Sequence, residues 1–394
     1  MNIKLASRVG RIKPSPTLAV TAKAVQLRQQ GVDVINLAAG EPDFDTPENI
    51  KAAAHRAMQA GKTKYTPVAG TASLKQAIIN KFEQDNKLSY SNKEILVSNG
   101  GKQSFYNLCQ ALIDKDDEVI IPAPYWVSYP DMVLLADGTP IFIQAGQEQQ
   151  FKITADQLAA AITPRTKLFV INSPSNPTGV CYNKTELIAL AEVLKQHPQV
   201  WIATDDMYEH ILFGQRAFVN ILNACPELKD RTIVMNGVSK AYSMTGWRIG
   251  YAAGPVEIIG PMSNIQSQST SNPSSISQEA AEEALTGPQD FVQMMSNDFE
   301  QRHNFVVDGL NAIKGVHCTP SQGTFYCFAN IQQAISDLDG ISNDVEFATF
   351  LLEECGVAVV PGSAFGLEGY MRISFANSRD NLTAALAKLK AVLG

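Results

Sequence analysis

Short apolar runs alternate with amphipathic stretches over most of the chain. Seven runs read as strands, at 95–97, 118–121, 140–143, 168–171, 200–203, 232–235 and 249–252. Between several of them apolar residues recur at helical spacing, as at 103–112, 155–161 and 184–195. Two further helices are expected earlier. One runs over 46–60, with Thr46 as the cap and Pro47 in the first turn; the other spans 73–85, with Leu74, Ala77, Ile78 and Phe82 on one face. Strands alternating with helices predict an α/β fold with a mostly parallel sheet covered on both faces. The rhythm changes after Gly287. A long helical stretch at 289–313 leads to a strand at 324–328, a helix at 344–355, an apolar run at 357–360, a strand at 371–375 and a last helix at 379–393. That second pattern predicts a smaller α/β domain, with the boundary near residue 290.

Length and composition agree with two cores. The chain has 394 residues, 45% apolar and 18% charged, with no biased tract, so a globular protein is expected. The formal charge is −7 and no basic block stands out, which argues against a nucleic-acid partner. The first residues lack the apolar core of a signal peptide, and no run is long enough for a membrane span. Cysteines 109, 181, 225, 318, 327 and 355 are scattered, with no CxxC pair. Reduced cysteines in a cytoplasmic protein are therefore expected, and the sequons at Asn183 and Asn381 carry no weight. The five histidines share no metal-ligand spacing, so no metal is expected.

Four constellations carry chemistry. The run 236–250 (NGVSKAYSMTGWRIG) follows a strand and places Ser239, Lys240 and Arg248 where a doubly wound sheet binds its ligands. A surface lysine is the plainer reading, but a desolvated lysine there can act as an amine nucleophile toward an aldehyde, and Arg248 can bind a phosphate with two N–H groups. The run 200–208 (VWIATDDMY) ends a strand on Asp205, with Tyr208 three residues later. A buried carboxylate needs a cation, and a protonated pyridine nitrogen is one; a helix cap is the plainer reading. The run 172–179 (NSPSNPTG) is by composition a turn, in which a cis Asn176–Pro177 bond would aim the Asn176 side chain at the sheet edge. The run 98–104 (SNGGKQS) joins a strand to a helix with Gly101 and Lys102 at the junction. It suits an anion but fits neither a Walker loop nor a dinucleotide fingerprint.

With AGEPDF at 39–44, KTKY at 62–65, PYW at 124–126 and the motifs above, the chain resembles the class I aminotransferases of pyridoxal-5′-phosphate (PLP) fold type I. The bacterial aspartate/prephenate subgroup is the nearest in pattern, from Lys13 to Arg372. The resemblance implies a large PLP-binding domain at 46–289 built on a mixed, mostly parallel seven-stranded sheet. A small α/β domain would comprise 290–394, joined by the N-terminal segment 1–45. It implies that Lys240 holds the cofactor as a Schiff base and then shuttles the proton, and that Asp205 pairs with the ring nitrogen. Asn176 and Tyr208 would hold the ring's phenolic oxygen, and Trp126 would stack on the ring. Gly101, Lys102, Ser239 and Arg248 would surround the phosphate, joined by Tyr65 of a second subunit, hence a homodimer with shared sites. Arg372 would grip the substrate α-carboxylate, with Gly40 close by.

One departure bears on substrate. Better-known relatives carry, four residues before Ser-Asn-Pro, an arginine for a distal carboxylate; here Ser271-Asn-Pro is preceded at that spacing by Ser267. By the subgroup's pattern, Lys102 and Thr17 would take that carboxylate, with Ser15, Lys13 and Arg11 near. Asp206 replaces a more usual glutamate, which keeps the charge. The implied reaction is transfer of the amino group of L-aspartate to 2-oxoglutarate by a ping-pong route, with amino acids and 2-oxo acids as the small-molecule partners. Prephenate as acceptor is an alternative. A PLP lyase would share every cofactor residue and release ammonia without a keto acid. A non-catalytic regulator with this fold would need an added DNA-binding domain.

Overall fold

The computed structural model describes residues 3–14 and 16–394. Its first strand, β1 (Ile35–Asn36), lies outside the main sheet. The next seven form one sheet: β2 (Ile95–Ser98), β3 (Glu118–Ala123), β4 (Thr139–Gln144), β5 (Thr166–Asn172), β6 (Trp201–Asp205), β7 (Thr232–Gly237) and β8 (Gly250–Ala253). The order across the sheet is β2-β8-β7-β6-β5-β3-β4. The pairs from β7 to β4 are parallel, and β8 runs antiparallel to both neighbours. All seven expected strands are therefore present in one mixed, mostly parallel sheet.

Both faces of the sheet are covered, and the side chains divide strictly by alternation. Ile95, Ile120, Phe169, Ile171, Ile202 and Val234 join the apolar cluster on one face. Leu96, Val119, Ile121, Leu168, Val170, Ala203 and Ile233 join the cluster on the other. Period-two geometry sends neighbours to opposite faces, so a strand with two covered faces is apolar throughout. The helices Gly101–Leu112, Ala155–Ala161 and Lys184–Lys195 lie near the positions expected for them.

The C-terminal part has its own sheet, with strands β9 (His317–Cys318), β10 (Tyr326–Asn330), β12 (Val360–Pro361) and β13 (Tyr370–Ser374) in the order β12-β13-β10-β9. Its core gathers Phe299, Phe325, Phe347, Ile373 and Phe375. The apolar run at 357–360 is not one strand. β11 (Val357–Ala358) pairs with β1, and the chain then bends into β12, which pairs with β13.

Several local expectations are corrected. Thr46 does not cap a helix: its hydroxyl donates to the Ser243 carbonyl at 2.6 Å and accepts from the Trp247 indole at 3.0 Å, and the helix Glu48–Gln59 starts after Pro47 without a side-chain cap. The helix expected over 73–85 is Ala72–Lys81, capped by Thr71 and followed by a single wider turn at Phe82–Asn86. The helices Pro16–Gln29, Tyr129–Leu135, Val256–Ser269 and Ser275–Thr286 were not anticipated.

Candidate active site

Five loops meet at one edge of the main sheet, each leaving the C-terminal end of a strand. Those after β2, β3, β5, β6 and β7 bring Gly101 and Lys102, Trp126, Asn176, Asp205 with Tyr208, and Ser239 with Lys240. β8 runs the other way, so Arg248, just before it, arrives at the same edge. Gly40 and Thr17 come from the N-terminal segment and Arg372 from β13. Together they line one cavity of about 410 Å³, at the place where open α/β sheets bind ligands.

Lys240 is the amine of the cavity. Its Nζ donates to the Gly40 carbonyl at 2.5 Å and lies 5.9 Å from the ring centres of Tyr208 and Phe325. Burial, with the positive charge of Arg372, pulls its pKa down to about 8. Asp205 faces it from β6. The Tyr129 phenol donates to one oxygen at 2.5 Å and the Met207 backbone N–H to the other at 3.2 Å. Burial raises the Asp205 pKa, while these donors and Lys240 lower it. The plainer reading of Asp205 as a helix cap does not hold, since no helix follows it and Met207 N–H closes only a local turn.

The neighbouring corner is cationic. The N-terminus of the helix Gly101–Leu112 points its free N–H groups there, Lys102 Nζ sits 5.3 Å from the Trp126 ring centre, and Arg248 donates to the carbonyls of Thr245 and Asn99 at 2.8 and 3.4 Å. Burial and then Arg248 depress the Lys102 pKa. Gly100 has φ +85°, a conformation that favours glycine, and a Cβ on it would lie 2.4 Å from Arg248 Nη2 and push that guanidinium away. Two cations, a helix N-terminus and a glycine-lined approach could hold an anion such as a phosphate.

On the opposite wall, Arg372 is 2% exposed. It donates to Asn176 Oδ1 at 3.0 Å and to the Ala38 carbonyl at 2.8 Å, while Nε has no partner among the described residues. A buried guanidinium with a free N–H and no carboxylate in contact suits a bound carboxylate. Asn176 is held in turn by Asn172, whose Oδ1 accepts the Asn176 N–H at 2.8 Å and whose Nδ2 donates to the Asp205 carbonyl at 2.9 Å. The cis peptide of this loop is Ser173–Pro174 and not Asn176–Pro177.

Three expected residues lie elsewhere. Tyr65 is 91% exposed, on the outer surface of the chain. Lys13 neighbours Asp131, and Arg11 pairs with Asp137, both on or just after the helix Tyr129–Leu135, so these cations face that helix and not the cavity. Ser15 lies outside the described residues. Ser267 is exposed, with its hydroxyl on its own helix at the Asn264 carbonyl. Two tyrosines were missed. Tyr129 braces Asp205, and Tyr326 lines the cavity with its hydroxyl 3.0 Å from that of Tyr208. An aromatic residue in an apolar run reads as core, and no sequence signal sets these two apart.

Comparison with known proteins agrees with this geometry. The family described as aminotransferase class I and II matches residues 32–389. The chain belongs to that family. Among curated aminotransferases it is 60% identical to the aspartate/prephenate aminotransferase of Nitrosomonas europaea, over 99% of this chain and 100% of the relative. Among solved aminotransferase structures it superposes on the aspartate aminotransferase of Rhizobium meliloti with a TM-score of 0.95 at 48% identity, covering 99% of this chain and 98% of the other. On the Thermus thermophilus aspartate aminotransferase with maleate the TM-score is 0.94 at 43% identity, covering 99% and 100%. Among the described residues no helix is long and apolar enough to cross a membrane. One group, Asp85, Glu209 and His210, has metal-compatible spacing, but the Lys81 ammonium already bonds Glu209 and lies 3.7 Å from Asp85.

Proposed function

We propose that this aminotransferase uses PLP to move the α-amino group of L-aspartate to 2-oxoglutarate, giving oxaloacetate and L-glutamate in two half-reactions on one site. The observation that carries the reading is the convergence of a deprotonatable Lys240, a carboxylate at Asp205, a cationic phosphate corner and the buried Arg372 in one cavity. When bound, the cofactor supplies an aldehyde for the amine and a cationic ring that withdraws electrons from the substrate α-carbon. Lys240 would hold it through its amine and, when free, would carry the proton to and from that carbon. Asp205, braced by Tyr129, would pair with the ring nitrogen and favour its protonated form. Trp126 would pack against the ring, and Asn176 with Tyr208 would offer hydrogen bonds to its phenolic oxygen. Gly101, Lys102, Ser239 and Arg248 would hold the phosphate. Arg372 orients the substrate carboxylate beside Gly40.

The names of the relatives support aspartate as donor and favour a second acceptor, prephenate. Thr17 and Lys102 are both in the cavity lining and suit a distal carboxylate. Lys102→Ala should lower kcat/KM for aspartate by about tenfold or more, the scale of one lost charge-assisted bond; an unchanged value refutes that assignment. The exposed Tyr65 supports a homodimer in which it reaches the phosphate of the other subunit. Residues 46–289 form the cofactor-binding domain in this reading, with 1–45 and 290–394 as the smaller one. The six free cysteines fit the reducing cytoplasm. The test is a keto-acid panel with aspartate as donor, including prephenate. Oxaloacetate formation that needs both PLP and Lys240 supports the proposal; ammonia released without any keto acid would favour a lyase.

A further inference from the structure

Tyr326 touches more of the cavity than a wall residue needs to. It begins β10, is fully buried, and projects from the same face as Phe328, which pairs with Arg372 across the sheet. The Arg372 guanidinium carbon lies 4.3 Å from the Tyr326 ring centre and 5.0 Å from that of Phe365, so the cation packs against both rings. The Tyr326 hydroxyl is 3.0 Å from that of Tyr208. A Cβ on Gly40 would come within 3.3 Å of the same oxygen. One side chain thus contacts the carboxylate anchor, the tyrosine facing the cofactor and the segment that accepts from Lys240.

We propose that Tyr326 is a positioning residue that fixes the plane of Arg372 with its ring and sets the direction of the Tyr208 hydroxyl with its own. In a pair of phenols only one hydrogen lies between the oxygens. When Tyr326 donates, the Tyr208 hydrogen is free to point into the cavity; when the direction is reversed, that hydrogen is no longer available there. Neither hydroxyl has another hydrogen-bond partner among the described residues, so the direction of each is set by the other. The inference rests on the PLP reading of this cavity and extends it to a residue with a split role.

The two halves separate by substitution. Tyr326→Phe keeps the ring and loses the hydroxyl; Tyr326→Leu loses both. With the PLP-loaded enzyme, the pH at which the visible absorption band changes should rise by about half a unit or more in Tyr326→Phe, while maleate affinity stays within about twofold. In Tyr326→Leu maleate binding should also weaken, by about tenfold. Placed in a Tyr208→Phe background, Tyr326→Phe should have no further effect on the band. An unmoved band in Tyr326→Phe, or a shift that persists in full without the Tyr208 hydroxyl, overturns the proposal. A native protein that shows no visible band with PLP overturns the cofactor reading instead. Should Tyr326→Leu fail to fold, the Tyr326→Phe and Tyr208→Phe cycle decides alone.

Discussion

At position 240 the useful species is an amine, and the fold supplies it by withholding water. Burial and the charge of Arg372 place the pKa near about 8, against 10.5 for a free lysine side chain. Below that pH the group is an ammonium and inert; above it the lone pair is free. The rate at which apo-protein captures PLP should therefore climb through pH about 8 and level off, as followed by the growth of the visible band; a midpoint near 10.5 would show that the side chain is solvated. Asp206 gives the opposite sign. Burial, reinforced by Glu209, raises its pKa to about 8, and Thr204 and Asn220 donate to its oxygens. Its folded pKa lies above the unfolded 3.8, so the fold favours the protonated form and loses stability as pH rises from about 4 to about 8. Asp206→Asn removes that titration. The Tm of the variant relative to the parent should increase across this window, and a constant difference would contradict the assignment. Lys240 and Asp205 stood out as charged residues at the end of an apolar strand, whereas Arg372 came only from the family resemblance. Tyr129 and Tyr326 did not stand out, because what distinguishes them is a partner from a distant part of the chain.

Among the elements, the inner strands of the main sheet were legible because both faces are covered and their runs are largely apolar; β4, at the edge, is partly exposed yet still carries an apolar run. The helix Pro16–Gln29 was not legible, since its apolar residues are scattered around the axis and few reach a core. Thr46 was misread for a related reason: a cap is a local bond, and here the hydroxyl found Ser243 and Trp247 across the molecule. The junction of β8 with the helix Gly101–Leu112 makes a prediction at this scale. A Cβ on Gly250 would lie 2.2 Å from the Gly101 nitrogen, a backbone atom that no rotamer change can relieve. Gly250→Ala should displace the N-terminus of that helix and weaken PLP binding by about tenfold or more, alongside a loss of stability of about 1–3 kcal/mol. Cofactor titration and thermal unfolding measure the two effects. A variant with native affinity would mean that the amides of this turn contribute little to the phosphate site.

For the whole molecule, the α/β class and the change of pattern after Gly287 could be read from the chain, whereas Tyr65 as a residue of a second subunit's site came only from the family resemblance, and in a single chain it is exposed. If Tyr65 completes the site of a second subunit, inactive Lys240→Ala chains mixed with Tyr65→Ala chains should regain wild-type sites. Random pairing gives hybrids in half the dimers, hence about one native site in four. Recovery of native PLP affinity in that fraction checks the idea, and no recovery at all would place Tyr65 outside the site. The edge at which the five loops meet has a kinetic consequence. No loop can deliver its group until the strand before it is in register, and β2 finds its place only against β8, with Ile95 opposite Ala253. That pairing closes a very long stretch of chain, a slow event in folding. Catalysis should thus return only with the last strand, trailing the recovery of helical signal, so a refolding chain would look largely formed well before it turns over its first substrate.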